Sequence, residues 1–447
     1  MADAIIPLSM ILSLLLGIFV GYPVAFVLGG IAVLFAIGTG TPLVFLSTGI
    51  SRIYSGTLTN WLLIAIPLFV FMGMLLDRSG IARRLLHSLA GLLGPLPGGY
   101  AFAVAVIGII MAASTGIIGA SVVLLSLLAL PVMKDAGYDM RISSGIIAAS
   151  GTLGILIPPS VMLIILGDTL QISVGGLFMG ALFPGLLLGM LYILFLIGVA
   201  IFRPETMPAM PRKEAISLGR RLRTLLADLL APLLLIVAVL GSIVWGIATP
   251  TESAGVGAVG AFVLAILGRE MRWQDFLEVL WETSRTTAMI LFVMIGATVF
   301  SVIFRRVGGD ALIHELLHSL GTGPYAVMIG VMILIFFMGM VLDWVEITLI
   351  VVPLVAPVIA ALDFGMTPQQ NLLWFAIVFA VNLQTSFLTP PFGFALFYVK
   401  GVGGVGLPMG TIYRGIVPFV ALQLVCLALV ISFPALVLWL PEVMTGR

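Results

Sequence analysis

Charge is scarce in this sequence. Only 9% of its 447 residues are Asp, Glu, Lys or Arg, where a soluble domain carries about 25%, and 61% are hydrophobic. That leaves no material for a sizeable soluble domain, so the chain reads as an integral membrane protein. Cysteine is nearly absent. Cys426 stands alone in a late apolar run, which excludes disulfide and cysteine–metal frameworks. His87, His314 and His318 lie in amphipathic segments beside charged neighbours, and no pair has ligand spacing inside a span, so no metal site is expected. The net charge of +1, with no basic patch, argues against nucleic acid. No GxSxG, HExxH or paired His/Asp arrangement suggests an enzyme, and no Walker motif suggests direct use of ATP. The N-terminus begins with Asp3 nearby and no positive region, so the first apolar run is expected to stay as a membrane helix rather than leave as a signal peptide.

What is present is a series of apolar runs. A span needs about 20 mostly apolar residues, with about 17 to 25 as the range. On that rule helices are expected at Ile5 to Val20, Pro23 to Ile37, Trp61 to Leu76, Gly145 to Leu166 and Leu177 to Phe202. The second half supplies Ala227 to Trp245, Ser253 to Leu267, Thr286 to Phe304, Leu372 to Val399 and Ile416 to Leu440. The first two runs also read as one helix kinked at Gly21-Tyr22-Pro23. Tyr100 to Met133 and Tyr325 to Leu362 are too long for single spans. They are interrupted by ASTGIIGAS (Ala113 to Ser121) and by Asp343 to Glu346, and both read as re-entrant hairpins. The fold class is therefore an all-α polytopic membrane protein, with about ten transmembrane helices and two hairpins.

Basic residues concentrate in cytoplasmic loops. With the N-terminus outside, all but Arg52, Arg305, Arg306 and Arg447 of the 20 basic residues fall on the cytoplasmic side. The halves also echo each other. ASGTLGILIPPS (Ala149 to Ser160) resembles VNLQTSFLTPPF (Val381 to Phe392), and Leu177-Phe178-Met179-Gly180 resembles Leu407-Pro408-Met409-Gly410. Each half runs three helices, hairpin, broken helix, helix. Five spans per half make the repeats inverted, a plan of secondary transporters with a midplane site built from discontinuous helices. The expected division is a first repeat over 1–202, a basic cytoplasmic linker over 203–226 read as a surface helix, and a second repeat over 227–447. Arg78 to Leu93 and Arg305 to Leu320 alternate charged and apolar residues at helical spacing and read as interfacial arms.

Four stretches can present polar backbone inside the membrane: the tips Ala113 to Ser121 and Leu342 to Thr348, and the breaks Ser150 to Pro159 and Asn382 to Pro391. Proline removes an amide donor and clashes with a preceding carbonyl, so each Pro-Pro pair should unwind its helix. Irregular backbone at membrane depth persists only where protein or a wet cavity covers it. Freed carbonyls and hydroxyls suit sodium, and the amide ends of half-helices suit an anion. The candidate sodium residues are Ser114, Thr115, Gly119, Ser121, Ser150, Thr152, Gly154, Asp343, Thr348, Asn382 and Thr385. The candidate substrate residues are Gly151, Pro158, Pro159, Gln384, Ser386, Thr389, Pro390 and Pro391. Asp343 and Glu346 read either as coupling or hairpin-control groups or as a shallow solvated tip. Asp168 reads as a solvated helix end. The scaffold is expected to comprise Ile5 to Ile37, Ala227 to Leu267 and the closing helices Leu177 to Phe202 and Ile416 to Leu440.

The run AASGTLGILIPPS after GYDMR, the paired tips and QTSFLTPPFGFALFYVKGV together resemble the large membrane subunit of tripartite ATP-independent periplasmic (TRAP) transporters over essentially the whole chain. The LDW of the second tip resembles the branch labelled for mannitol or chloroaromatic compounds, while the first tip, TGIIGASVV, departs from the family's serine-richer version. The resemblance implies an elevator-type, sodium-coupled importer of organic anions in the bacterial inner membrane. It also implies a periplasmic substrate-binding protein and a small four-helix membrane subunit as partners, the latter expected on a separate chain, with sodium as the coupling ion and no other cofactor. A stand-alone sodium/dicarboxylate symporter is the alternative.

Overall fold

The computed structural model describes residues 2–42, 44–116, 118–210, 218–319, 323–391, 393–402 and 406–446. Among them the chain is helical, with short 3-10 and π turns and no strand. It opens with α1 (Ala2–Phe19) and α2 (Val24–Gly38). These are two helices rather than one kinked helix. The chain reverses at Gly21, whose φ of +90° suits glycine alone, and a Cβ on Gly17 would meet Val27 Cγ1 at 2.5 Å. Then follows α3 (Val44–Ile53), running into a π turn, Tyr54–Leu58, an element that no apolar run announced.

The 3-10 turn Trp61–Ile64 leads into α4 (Ala65–Arg78) and the arm α5 (Ile81–Leu93). The first hairpin is α6 (Gly99–Thr115) and α7 (Ile118–Asp135). The first broken helix is α8 (Met140–Thr152) and α9 (Val161–Leu170), and α10 (Val174–Phe202) closes this half. The second half runs α11 (Leu218–Val244), α12 (Pro250–Gly268), α13 (Trp273–Arg306) and the arm α14 (Gly309–Ser319). Its hairpin is α15 (Pro324–Gly339) against α16 (Trp344–Ile350) and α17 (Val352–Ala361). Its broken helix is α18 (Pro368–Leu388) and α19 (Phe394–Gly401), followed by α20 (Met409–Ser432) and α21 (Ala435–Thr445). The second arm was expected to reach Leu320, which lies outside the described residues.

Eight helices among the described residues are long and apolar enough to cross a membrane, or nine if α16 and α17, bent by 55°, count as one span. The expectation of about ten counted α1 and α2, which are short, and Gly145 to Leu166, which is interrupted at the 3-10 turn Leu153–Ile155. The arm α7, in contrast, reaches span length by itself. α13 is longer than Thr286 to Phe304 because its polar first turns carry Glu278, which Arg78 of α4 holds at 2.8 Å. In its described residues the basic linker is not a separate surface helix. Arg220, Arg221 and Arg223 form the first turns of α11, while Arg212 and Lys213 lie outside the described residues. The earlier part is pinned under the first hairpin: the Thr206 carbonyl accepts from the Asp139 amide and the Met207 carbonyl from the Gly98 amide, each at 2.8 Å.

Local chemistry starts the helices where they begin. Thr249-Pro250-Thr251-Glu252 and Thr367-Pro368-Gln369-Gln370 each form a capping box with proline in the first turn, pairing amides that a helix start leaves free. Small residues then let backbones approach. α2 packs on α13 and α4 on α12, α5 on α11 and α14 on α1, α8 on α20 and α18 on α10. A Cβ on Gly296 would stand 2.5 Å from the Ala25 carbonyl oxygen, and one on Gly415 would stand 2.2 Å from that of Arg141. The closing helices α10 and α20 pack on the broken helices and on each other, and α10 also touches α11 of the expected scaffold. α18 lies at the centre, with 89% of its most apolar window buried, against 22% for α11. A helix apolar all round is either buried in protein or faces lipid.

Candidate functional site

The first tip rests on the first break. Gly116, at φ +60°, turns the chain between α6 and α7, and a Cβ there would lie 3.5 Å from the Val161 amide nitrogen and 3.6 Å from the Pro159 carbonyl oxygen. The hairpin arms clasp α8 through glycines. A Cβ on Gly108 would be 2.2 Å from Ser150 Cβ, and one on Gly151 would be 2.3 Å from Val122 Cγ2. Every residue from Ser150 to Ser160 is buried, Gly154, Pro158 and Pro159 included. Ser160 Oγ donates across the break to the Ile155 carbonyl at 2.7 Å, and Thr152 Oγ1 to that of Ala149 at 2.9 Å. Ser121 is buried in α7. The side chains of Ser114 and Thr115, and Ile117, lie outside the described residues.

The second break sits against the second hairpin. Asn382 Nδ2 donates to the Met332 carbonyl of α15 at 2.7 Å, and a Cβ on Gly339 would stand 2.2 Å from Ser386 Oγ. Thr385 and Thr389 donate to carbonyls of their own helix, Val381 at 3.3 Å and Thr385 at 2.6 Å, and Ser386 to Leu383 at 2.7 Å. Thr348 likewise donates to Trp344 at 2.7 Å. Asp343 and Glu346 cap α16 reciprocally, Glu346 accepting from the Asp343 amide at 3.0 Å. They hold the tip's half-helix and are half-buried. Both Pro-Pro bonds, Pro158-Pro159 and Pro390-Pro391, are cis.

The hairpins also cross over. α7 packs on α19 of the second broken helix, and α16 packs on α9 of the first. The four interrupted segments therefore meet in one region. There two side chains have buried polar atoms without partners: the Gln384 amide, through both Nε2 and Oε1, and the Ser150 hydroxyl. An unpaired buried polar group costs about 1–3 kcal/mol, so such groups call for a ligand or a water. Among the described residues no cluster of metal-ligating side chains occurs.

Two contributors lay outside the expected stretches. The Tyr398 ring lies against Gly119 of the first tip, where a Cβ would be 2.9 Å from Cζ. Tyr398 thus packs on the first tip from α19. Its sequence signal was its place one turn after Pro-Pro-Phe-Gly. Asn60, at the end of the unannounced π turn, donates from Nδ2 to Asp168 Oδ1 at 2.6 Å. Asp168 is thus tied to the α3–α4 segment instead of being free in solvent, beside a cavity of about 440 Å³ lined in part by Ser55, Asn60 and Gln171.

The family model described as tripartite ATP-independent periplasmic transporter, DctM component, matches residues 11–436. The C4-dicarboxylate TRAP transporter large permease protein DctM of Pseudomonas aeruginosa is 33% identical over 390 residues, 86% of this chain and 87% of that one. The sialic acid TRAP transporter large permease protein SiaM of Vibrio cholerae is 31% identical over 433 residues, 96% and 97% of the two chains. Among solved structures, the YdaH transporter of Alcanivorax borkumensis superposes with a TM-score of 0.59 at 16% identity, over 87% of this chain and 88% of that one, which is a likeness of fold.

Proposed function

We propose that sodium drives organic anions through this chain, which belongs to the DctM component family of tripartite ATP-independent periplasmic transporters. Membership makes it a multi-pass large permease subunit of the bacterial inner membrane, in an organic-acid transporter that depends on a periplasmic binding protein. In our finer reading the cargo is a carboxylate, sodium is the coupling ion, and a small four-helix membrane subunit completes the complex. The halves are two inverted repeats, 1–202 and 227–447, with the linker in the cytoplasm.

The mobile unit comprises the two hairpins, the two broken helices and α10 and α20. The fixed unit comprises α1 to α4 and α11 to α13. The arm α5 ties them, since it packs on α6 of the first hairpin while its Arg84 and Ser88 contact Glu270 and Asp228 and its Gly91 carbonyl accepts from Arg221 at 2.6 Å. Sodium binds where each tip meets its break, through carbonyls freed by the prolines and hydroxyls such as Ser150. The carboxylate binds at the second break, with Gln384 Nε2 donating to it. If sodium and anion together favour the state that moves as a body, downhill sodium entry carries the anion inward.

The observation that carries this reading is the fully buried, unpartnered Gln384 amide at a helix break. The test is uptake of small carboxylates by proteoliposomes holding the complex, with and without a sodium gradient and with and without the binding protein. Uptake needing both is expected. Sodium-driven uptake without binding protein would establish the stand-alone symporter instead, and equal uptake on a potassium gradient would remove the coupling ion.

A further inference from the structure

A second cavity, of about 490 Å³, opens where the N-terminal turns of α8 and α20 meet the C-terminal end of α10. Three arginines line it: Arg141 of α8, Arg414 of α20 and Arg203 just past the end of α10. All three are exposed, and none forms an ion pair or a side-chain hydrogen bond among the described residues. Arg78, Arg84, Arg272 and Arg305 by contrast hold carboxylates, and here three uncommitted arginines line one cavity together. The one carboxylate in the lining, Asp139, caps α8 by accepting from the Arg141 amide at 2.8 Å. The cavity therefore keeps a net positive charge at one end. Its other wall is apolar, made by Phe195, Val199, Phe202 and Pro418, and Phe202 is 84% exposed at the end of a membrane-length helix.

A polar end with free guanidiniums and an apolar wall on a span suits one ligand class. Guanidinium forks match phosphate oxygens bidentately, and basic pockets between membrane helices bind anionic headgroups. We propose that this cavity binds an anionic phospholipid, with its phosphate among Arg141, Arg203 and Arg414 and an acyl chain along Phe195 and Phe202. Because α8 and α20 pack backbone to backbone here, the lipid clamps the first broken helix to a closing helix. The site is separate from the breaks.

The test is native mass spectrometry of the intact chain exchanged into phosphatidylglycerol, into phosphatidylcholine, and into phosphatidylcholine with inorganic phosphate. Retained phosphatidylglycerol is expected on the wild type. Its affinity should fall roughly fivefold for each arginine changed to glutamine and on the order of a hundredfold for all three. The triple arginine-to-lysine variant should keep most of the binding, which separates lost charge from lost folding. Inorganic phosphate should neither bind alone nor displace the lipid. Equal retention of both lipids, retention unchanged in the triple glutamine variant, or binding of free phosphate in place of lipid would each overturn the proposal.

Discussion

From Ser150 to Ser160 every residue of the first break is buried, whereas at the second break Thr389 is half-buried and Pro390 and Pro391 are exposed. The two stretches share a Pro-Pro plan and a hairpin clasp, yet they bury different chemistry. The first holds one orphan hydroxyl, Ser150, among glycines that bring α6 and α7 close. The second holds an orphan amide, Gln384, together with Asn382, Thr385 and Ser386 on a helix that is buried from Trp374 to Leu388. A hydroxyl with lone pairs serves a cation, while an amide also offers N–H groups to an anion. The difference points to a division of labour: a cation clasp at the first break, and a cation and anion site at the second, which is the one that reaches the surface.

The largest expected effect is at Pro390 and Pro391. Proline disfavours a helix interior by about 3 kcal/mol, so replacing both with alanine supplies amides at 390 and 391, lets α18 propagate and draws the carbonyls of Ser386 and Phe387 into intrahelical bonds. Sodium-driven uptake, normalised to folded protein, should fall roughly a hundredfold. If the prolines serve only to kink a packing helix, stability drops and coupling survives.

Next in size is Gln384→Leu. It removes a buried amide whose isolation costs about 1–3 kcal/mol, so the melting temperature should hold or rise. Anion uptake should nevertheless fall at least about tenfold, the loss of one hydrogen bond to a charged ligand. Normal uptake in this variant would dissolve the contrast between the breaks.

How far the sequence reached follows the same line. Pro-Pro and the small-residue tips were legible because they break helical periodicity inside apolar runs. Asn382, Gln384 and Ser150 stood out as polar groups where hydrocarbon makes polarity costly. Tyr398 and the Asn60–Asp168 bond were not legible, because each depends on elements distant in sequence meeting, Asn60 and Asp168 across 108 residues. The close seat of α20 on α8 was also not legible, since Gly145 against Gly415 is a contact that only packing reveals. The capping role of Asp343 and Glu346 was in the sequence as a carboxylate pair three apart at a half-helix start, and was read only as charge.

A smaller effect compares single hydroxyls. Thr152→Ala and Thr385→Ala should each raise the sodium concentration for half-maximal uptake by about three- to tenfold, the range for losing one oxygen contact. Only Thr385→Ala should also alter the apparent affinity for the anion. Equal effects of both variants on the anion would erase the division of labour. The smallest effect is expected at Asn60→Ala, which frees Asp168 from the α3–α4 segment without touching either break. The transport rate should change by about two- to fivefold while sodium and anion affinities stay constant, as steady-state uptake curves would show.

Binding of radioactive sodium to the purified wild-type chain and to the Pro390→Ala/Pro391→Ala variant reads the two tip–break sites without the partners or the cargo. The wild type should bind sodium saturably with a stoichiometry above one, and the variant should keep the first-break component while losing the second. An absence of saturable sodium binding to folded wild-type protein, or identical binding curves for both proteins, would contradict the assignment of the breaks as sodium sites.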